Sequence, residues 1–164
     1  MLQLVTVDFN NAQHASAVMA LLEHYACDPM GGGETLSEYA KQHLVEKLAQ
    51  RQDVLTVLAY LDETPVGLIN CFEGFSTFQC KPLLNIHDFV VHADFRQQGL
   101  ATQLIKRVEE LAIERGCCKL TLEVLYGNEI AREVYGKFGF SGYQLDPTLG
   151  NAIFLEKQLS RNVS

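Results

Sequence analysis

The sequence predicts an α/β (α+β) chain: a mixed, mostly antiparallel central sheet with helices on both faces. Three observations lead there. Strand-like alternation and helical periodicity interleave in the order β-α-α-β-β-β-α-β-α-β-β. The strand-like runs "DVLTVLAYLD" (53–62) and "PVGLINCFEGFST" (65–77) are almost contiguous, a hairpin that pairs antiparallel. A helical stretch separates "LLNIHDFVVH" (83–92) from "CKLTLEVL" (118–125), and a strand–helix–strand unit implies parallel pairing across a crossover.

Each element has its own warrant. "QLVTVDF" (3–9) alternates as a strand does. Over 11–26, Ala15, Val18, Met19, Leu22 and Tyr25 recur at helical spacing. "CDPMGGGE" (27–34) holds Pro29 and three glycines and predicts a mobile loop. Helical period returns over 36–50 through Leu36, Tyr39, Ala40, Leu44 and Leu48. After the hairpin and the 83–92 strand, Ala101, Leu104, Ile105, Val108, Leu111 and Ala112 form one apolar stripe that packs on the sheet. A strand over 118–125 follows, then a short helix from about Asn128 to Phe138 that ends at Gly139, with Phe140 opening the next strand. Two late strands are expected near 141–145 and 151–158.

Composition narrows the function classes. A chain of 164 residues with 48% hydrophobic content suggests one domain, 1–164, with a real core. A net charge of −7 argues against general nucleic-acid binding, which needs a basic face. No apolar run reaches membrane-spanning length and no signal-peptide pattern opens the chain, so a cytoplasmic protein without a membrane partner is expected. Five cysteines, an odd number without CxxC spacing, read as reduced thiols. His14, His24 and His43 lie on the early helices without metal-ligand spacing, and His92 is expected to be exposed after its strand, so no metal is assigned.

The stretch "FRQQGLATQLIKRVEELA" (95–112) starts a helix with no Ser, Thr, Asp or Asn as its cap. The first N–H groups of a helix have no internal partner, and they sit at the positive end of its dipole. Gly99 lets a ligand approach the backbone, and Arg96 adds a positive charge. Phosphate oxygens would cap such a helix. By itself the pattern is weak and reads first as a water-capped helix after an ordinary turn.

Thirty residues on stands "NEIAREVYGKFGF" (128–140), an N-x-x-A-x-x-x-Y-x-x-x-G-F pattern, with Asn128 and Tyr135 seven apart on one helical face. Strand, R-x-x-G-x-A loop, helix, strand and this last pattern, in that order, resemble the GNAT superfamily (GCN5-related N-acetyltransferases) over about residues 53–158. The hairpin "VLAYLDETPVGLINC" is similar to the central hairpin of that family, and "FSTFQCKPLLNIHDFVV" resembles the corresponding region of small-amine acetyltransferases. Gln97 departs from the pattern, because many relatives carry glycine there. Ala101 stands for a second glycine, a common variant.

The resemblance implies an acyl-CoA N-acyltransferase fold whose parallel strand pair splays apart. It implies acetyl-CoA as co-substrate, with its pyrophosphate on backbone N–H groups of Gln98, Gly99, Leu100, Ala101 and Thr102 and with Arg96 and Gln97 close by. The pantetheine arm would lie along the 83–92 strand, taking main-chain groups of Phe89 and Val91, while an N–H near Val90 polarises the acetyl carbonyl. Asn128 would hydrogen-bond the cofactor and Tyr135 would protonate the departing thiolate. A homodimer is also implied.

A primary amine attacking the thioester needs a proton acceptor rather than an enzyme nucleophile. "NIHDFVV" offers His87, which titrates near neutrality, and Asp88, which could bind a cationic amine. Either is equally readable as a structural side chain: a strand histidine bonded to backbone, or a carboxylate capping a loop. His87 also replaces an acid found in polyamine-specific relatives. Regular alternation puts the two on opposite faces, so both reach one acceptor only if a bulge intervenes. Glu73 and Glu123 are weaker base candidates that read first as solvated or ion-paired strand carboxylates, and Tyr39 and Phe75 read as core packing before pocket lining.

The expected function is therefore acetyl transfer to a small-molecule amine by direct attack in a ternary complex. The alternative is a non-catalytic acyl-CoA-binding sensor or partner module of the same fold. A nicotinamide-nucleotide enzyme is disfavoured because the loop lacks GxGxxG.

Overall fold

The computed structural model describes residues 1–144 and 146–159. Five strands form one sheet in the spatial order β1-β2-β3-β4-β5. They are β1 (Leu2–Thr6), β2 (Val54–Leu61), β3 (Thr64–Ser76), β4 (Lys81–Val91) and β5 (Leu120–Leu122). The first three pairings are antiparallel and β4–β5 is parallel. The mixed, mostly antiparallel sheet is the predicted one. Central strands β2 and β3 are covered on both faces, which is why they read as nearly continuous apolar runs.

Helices α1 (Ala12–Cys27) and α2 (Glu38–Ala49) belong to one face and α3 (Leu100–Glu114) to the other. On the first face Val18, Leu21 and Leu22 of α1 meet Leu58, Leu68 and Val90. On the second, Leu104, Ile105 and Val108 of α3 meet Val57, Ile69 and Leu84. Helix α4 (Glu129–Lys137) leans on this second core through Val134, Tyr135 and Phe138.

The helix starts obey capping chemistry, with one exception. Asn11 accepts the N–H of Gln13 at 2.9 Å and Ser37 that of Ala40 at 3.1 Å. Among the described residues, helix α3 alone begins without any side-chain cap, at Gly99. Loop 27–34 is tied down more than its glycines and Pro29 imply. Asp28 accepts N–H groups from Met30, Gly31 and Gly33. A Cβ at Gly31 would stand 1.9 Å from the Tyr25 carbonyl oxygen, so no other residue fits that approach.

The carboxy-terminal third differs from expectation. Strand β5 holds three residues instead of the predicted 118–125, because only Leu84–Ile86 of β4 offer it a parallel partner. No strand forms at 141–144 or 151–158, and residue 145 of the first expected strand lies outside the described residues. So short an edge leaves those alternating segments no ladder to join, and 151–158 lies exposed. Phe140 does not open a strand but completes the cap of α4. Its N–H donates to the Tyr135 carbonyl at 3.1 Å while Gly139 sits at φ +83°.

Candidate functional site

Strands β4 and β5 part after Ile86, which leaves the second half of β4 with one free edge. The His92 N–H donates to Val66 on β3 at 2.9 Å. Alternation turns the main-chain groups of Val90 and Asp88 the same way, so those of Phe89 and Val91 face the free edge. The Val91 carbonyl accordingly accepts Arg96 Nε at 3.2 Å. Val90 itself is committed to β3 and buried under α1, so the N–H groups near it that face the free edge are those of Phe89 and Val91.

That edge runs into the loop before α3. A 3-10 turn at Ala93–Phe95 leads to Gln97 at φ +63° and Gly99 at φ +77°. Two left-handed residues this close curl the main chain into a concave nest of N–H groups. Among the described residues, no acceptor faces the N–H groups of Gln98, Gly99, Leu100, Ala101 or Thr102. Nothing lies within 4 Å of where a Gly99 Cβ would stand, so the hollow is open.

Gln97 takes the left-handed conformation that favours glycine, which answers whether glutamine permits the turn. The strain costs about 1–2 kcal/mol, offset in a glycine variant by about 0.5–1 kcal/mol of extra unfolded-state freedom. Gln97→Gly is therefore expected to stabilise the fold by up to about 1 kcal/mol, read as a higher urea midpoint at unchanged slope. A lower midpoint would mean that the glutamine side chain holds the loop by contacts of its own.

Arg96 does not point its charge freely into this nest. Its Nη2 lies 2.7 Å from Asp28 Oδ2, and it holds the Asp28 carboxyl below the ordinary carboxylate range. The pair braces loop 27–34 against the loop before α3. The attraction of the nest for an anion thus comes mainly from backbone N–H groups and the α3 dipole.

Across the gap stands α4. Asn128 spends its side-chain oxygen on the Ala131 N–H at 3.2 Å, which leaves its amide NH₂ for another acceptor. Tyr135 packs between Phe89, with centroids 6.0 Å apart, and Phe140, at 5.8 Å. Burial, with a smaller contribution from Tyr25, pushes its phenol up to about 12, so the hydroxyl stays protonated through the neutral range.

The other face of β4 carries the polar pair. Ile86 pairs with Cys71 and Asp88 with Asn70, so His87 is an extra residue, a β-bulge. Ile86 and Phe89 both meet the α3-side core, which puts His87 and Asp88 together on the α1 side. His87 Nδ1 lies 3.3 Å from Asp88 Oδ1, and the neighbouring carboxylate raises the imidazole above its ordinary value against partial burial. Asn70 Nδ2 donates to Asp88 Oδ2 at 3.0 Å, and Thr56 Oγ1 donates to Asn70 Oδ1 at 2.7 Å.

Several further expectations change. Tyr39 and Phe75 are exposed rather than packed in the core, Tyr39 lying against His43. His92 is half-buried and stacks on His24 with ring centroids 4.1 Å apart. Glu73 and Glu123 do not change: Glu73 is paired with Arg115 at 3.6 Å and Glu123 is exposed, as ion-paired or solvated carboxylates are. Burial drives the Cys71 thiol up to about 12, far from a nucleophile. Sequence reasoning passed over Tyr25, whose phenol is raised by burial and then by the Asp88 and Asp28 charges, and Asn70. Tyr25 looked like one more member of a helical stripe. Asn70 had a signal, a polar residue inside the buried run "VGLINC".

Residues 15–140 match the family model described as Acetyltransferase (GNAT) family. A thialysine N-epsilon-acetyltransferase of Bos taurus is 37% identical over 74 residues, which are 45% of this chain and 43% of that protein, so the match spans less than half of the relative. An aminoglycoside N(6')-acetyltransferase type 1 of Acinetobacter genomosp. 13 is 26% identical over 130 residues, 75% of this chain and 89% of that one. Among solved structures, an aminoglycoside acetyltransferase from an uncultured soil metagenomic sample superposes with a TM-score of 0.77 at 17% identity, covering 97% of both chains. The aminoglycoside N-acetyltransferase AAC(6')-Iy, in complex with a bisubstrate analog, gives 0.75 at 19% identity, covering 97% of this chain and 99% of its own.

Proposed function

The chain belongs to the acetyltransferase (GNAT) family, and from that premise we propose that residues 1–164 form one domain that moves an acetyl group from acetyl-CoA to a primary amine by direct attack in a ternary complex. One observation carries this reading: the free edge of β4 leads straight into a nest of unpartnered N–H groups, beside a tyrosine that stays protonated. A long cofactor with a peptide-like arm and a pyrophosphate fits that sequence of donors.

In this reading the N–H groups of Gln98, Gly99, Leu100, Ala101 and Thr102 hold the pyrophosphate. Phe89 and Val91 hydrogen-bond the pantetheine amides as a neighbouring strand would. The second of these N–H groups, or that of Phe89, stabilises the oxyanion that forms as the amine attacks. Asn128 gives its free NH₂ to the cofactor. His87 accepts the amine proton, directly or through water, and Tyr135 gives its proton to the thiolate as the carbon–sulfur bond breaks. Asp88 offsets the charge gained by His87. The acceptor is a small-molecule amine, as the names of the thialysine and aminoglycoside relatives suggest. The protein acts as a homodimer in the cytoplasm, without metal, nucleic acid or membrane. No described helix is long and apolar enough to cross a membrane.

Mass spectrometry of products from a mixed amine library incubated with acetyl-CoA tests the activity. Acetylated amines identify the acceptor. Cofactor binding without any product would transfer the protein to the non-catalytic class. The base has its own test. Neutral His87 is the working form, and its pKa is raised, so kcat/KM should climb with pH through an ionisation above the ordinary histidine value of ~6.5. Asp88→Asn removes the charge that raises it, so the limb should move to lower pH. His87→Ala should abolish the limb. An unchanged profile in both variants would leave water as the acceptor.

A further inference from the structure

A row of polar side chains crosses three strands beneath the acceptor face. Thr56, Asn70 and Asp88 stand opposite one another in register on β2, β3 and β4. Thr56 is 2% exposed and Asn70 4%, the two buried polar residues among those described. Burying them costs free energy unless every polar atom is matched. A hydrophobic pair would fill the same volume at no such cost, and the role already given to His87 and Asp88 does not require either residue.

The direction of each hydrogen bond follows from chemistry. Asp88 is a carboxylate and only accepts, so the Asn70 amide nitrogen must face it. The Asn70 oxygen then faces Thr56, whose hydroxyl must donate. With Oδ2 taken by Asn70, Asp88 turns Oδ1 toward His87 Nδ1. A carboxylate oxygen at 3.3 Å favours the proton on that nitrogen electrostatically, which would leave the lone pair of neutral His87 on Nε2. From this geometry we propose that Asn70, held by Thr56, is a positioning residue that fixes Asp88 and through it the Nδ1–H tautomer of His87, so that Nε2 is the atom that takes the amine proton. The proposal rests on the reading of His87 as the base.

The bulge belongs to the same device. It leaves Asn70 opposite Asp88 and inserts His87 on the same face, so the clamp and the base share one irregularity. Other charged or titratable groups acting on the pair are Glu123 beyond β5 and Tyr25 on α1; the Phe72 ring, with Arg51 over it, meets the imidazole edge-on. Among the described residues, Asn70 is the only side-chain amide that donates to Asp88.

The test uses the full chain with ¹⁵N-labelled histidine. Imidazole nitrogen shifts report the tautomer and titration of His87 without any turnover, with His87→Ala assigning the signal. In the wild type the neutral form should be Nδ1–H. In Asn70→Ala the tautomer should mix, the titration should fall toward the ordinary value, and kcat should drop about tenfold, the worth of one net hydrogen bond, at unchanged KM for acetyl-CoA. Thr56→Val, nearly isosteric, should do the same more weakly and remains informative if Asn70→Ala fails to fold. Thr56→Ser, which keeps the hydroxyl, should restore the wild-type spectrum and pH profile. An unchanged tautomer and titration in folded Thr56→Val and Asn70→Ala overturns the role of Asn70, even where His87→Ala loses activity. A mixed tautomer at wild-type turnover, with His87→Ala equally active, overturns the base assignment and the catalytic part of the proposal with it.

Discussion

Tyr135→Phe is expected to cut turnover by roughly 10²–10⁴-fold, the usual worth of a positioned general acid, and to leave acetyl-CoA affinity close to wild type. A thiolate leaving a carbonyl gathers negative charge only as the bond breaks. A donor aimed at that charge therefore acts on kcat more than on KM. Burial keeps the phenol protonated up to about 12, so the donor is present throughout the working range. The ring is held between Phe89 and Phe140 by contacts that phenylalanine retains, so folding should be little affected. Pre-steady-state measurement of acetyl transfer is the check, because slow product release could hide the loss in kcat. A wild-type chemical step in the variant would remove Tyr135 from the acid role and leave water or the ammonium formed by the attacking amine to protonate sulfur.

Legibility in the sequence followed the range of the interactions. The helices and central strands were readable because each is specified by its own period: the α3 stripe Leu104, Ile105 and Val108, or the continuous run of β2, packs as written. The unusual start of α3 was readable because a missing cap is a local fact. The clustering of His87 with Asp88 was readable only conditionally, because a bulge depends on the register with β3 and not on β4 alone. The Arg96–Asp28 pair joins residues 68 apart, and no local pattern announces it. The late strands failed for a related reason: alternation at 151–158 states a capacity to pair, and β5 is too short to be the partner.

Gly99→Val should weaken acetyl-CoA binding by about a hundredfold or more while the sheet and its helices stay folded. Gly99 sits at φ +77°, where a β-branched residue is badly strained, by about 1–2 kcal/mol or somewhat more. To relax, the chain must turn its N–H groups out of the nest. Each charge-assisted bond lost to phosphate removes about 1.5–3 kcal/mol, so two lost bonds already account for a hundredfold. The side chain would itself stand in the open hollow, where no protein atom lies within 4 Å and a phosphate oxygen would otherwise fit. Gly99→Ala separates the two causes. It shares the strained φ but fills little of the hollow, so it should lose stability comparably and affinity less. Calorimetric titration with CoA and with dephosphorylated pantetheine extends the contrast, since pantetheine never reaches the nest and its binding should be indifferent to either change. Wild-type affinity for CoA in a folded Gly99→Val variant would remove the pyrophosphate from this loop, and the uncapped helix would then be an ordinary water-capped turn.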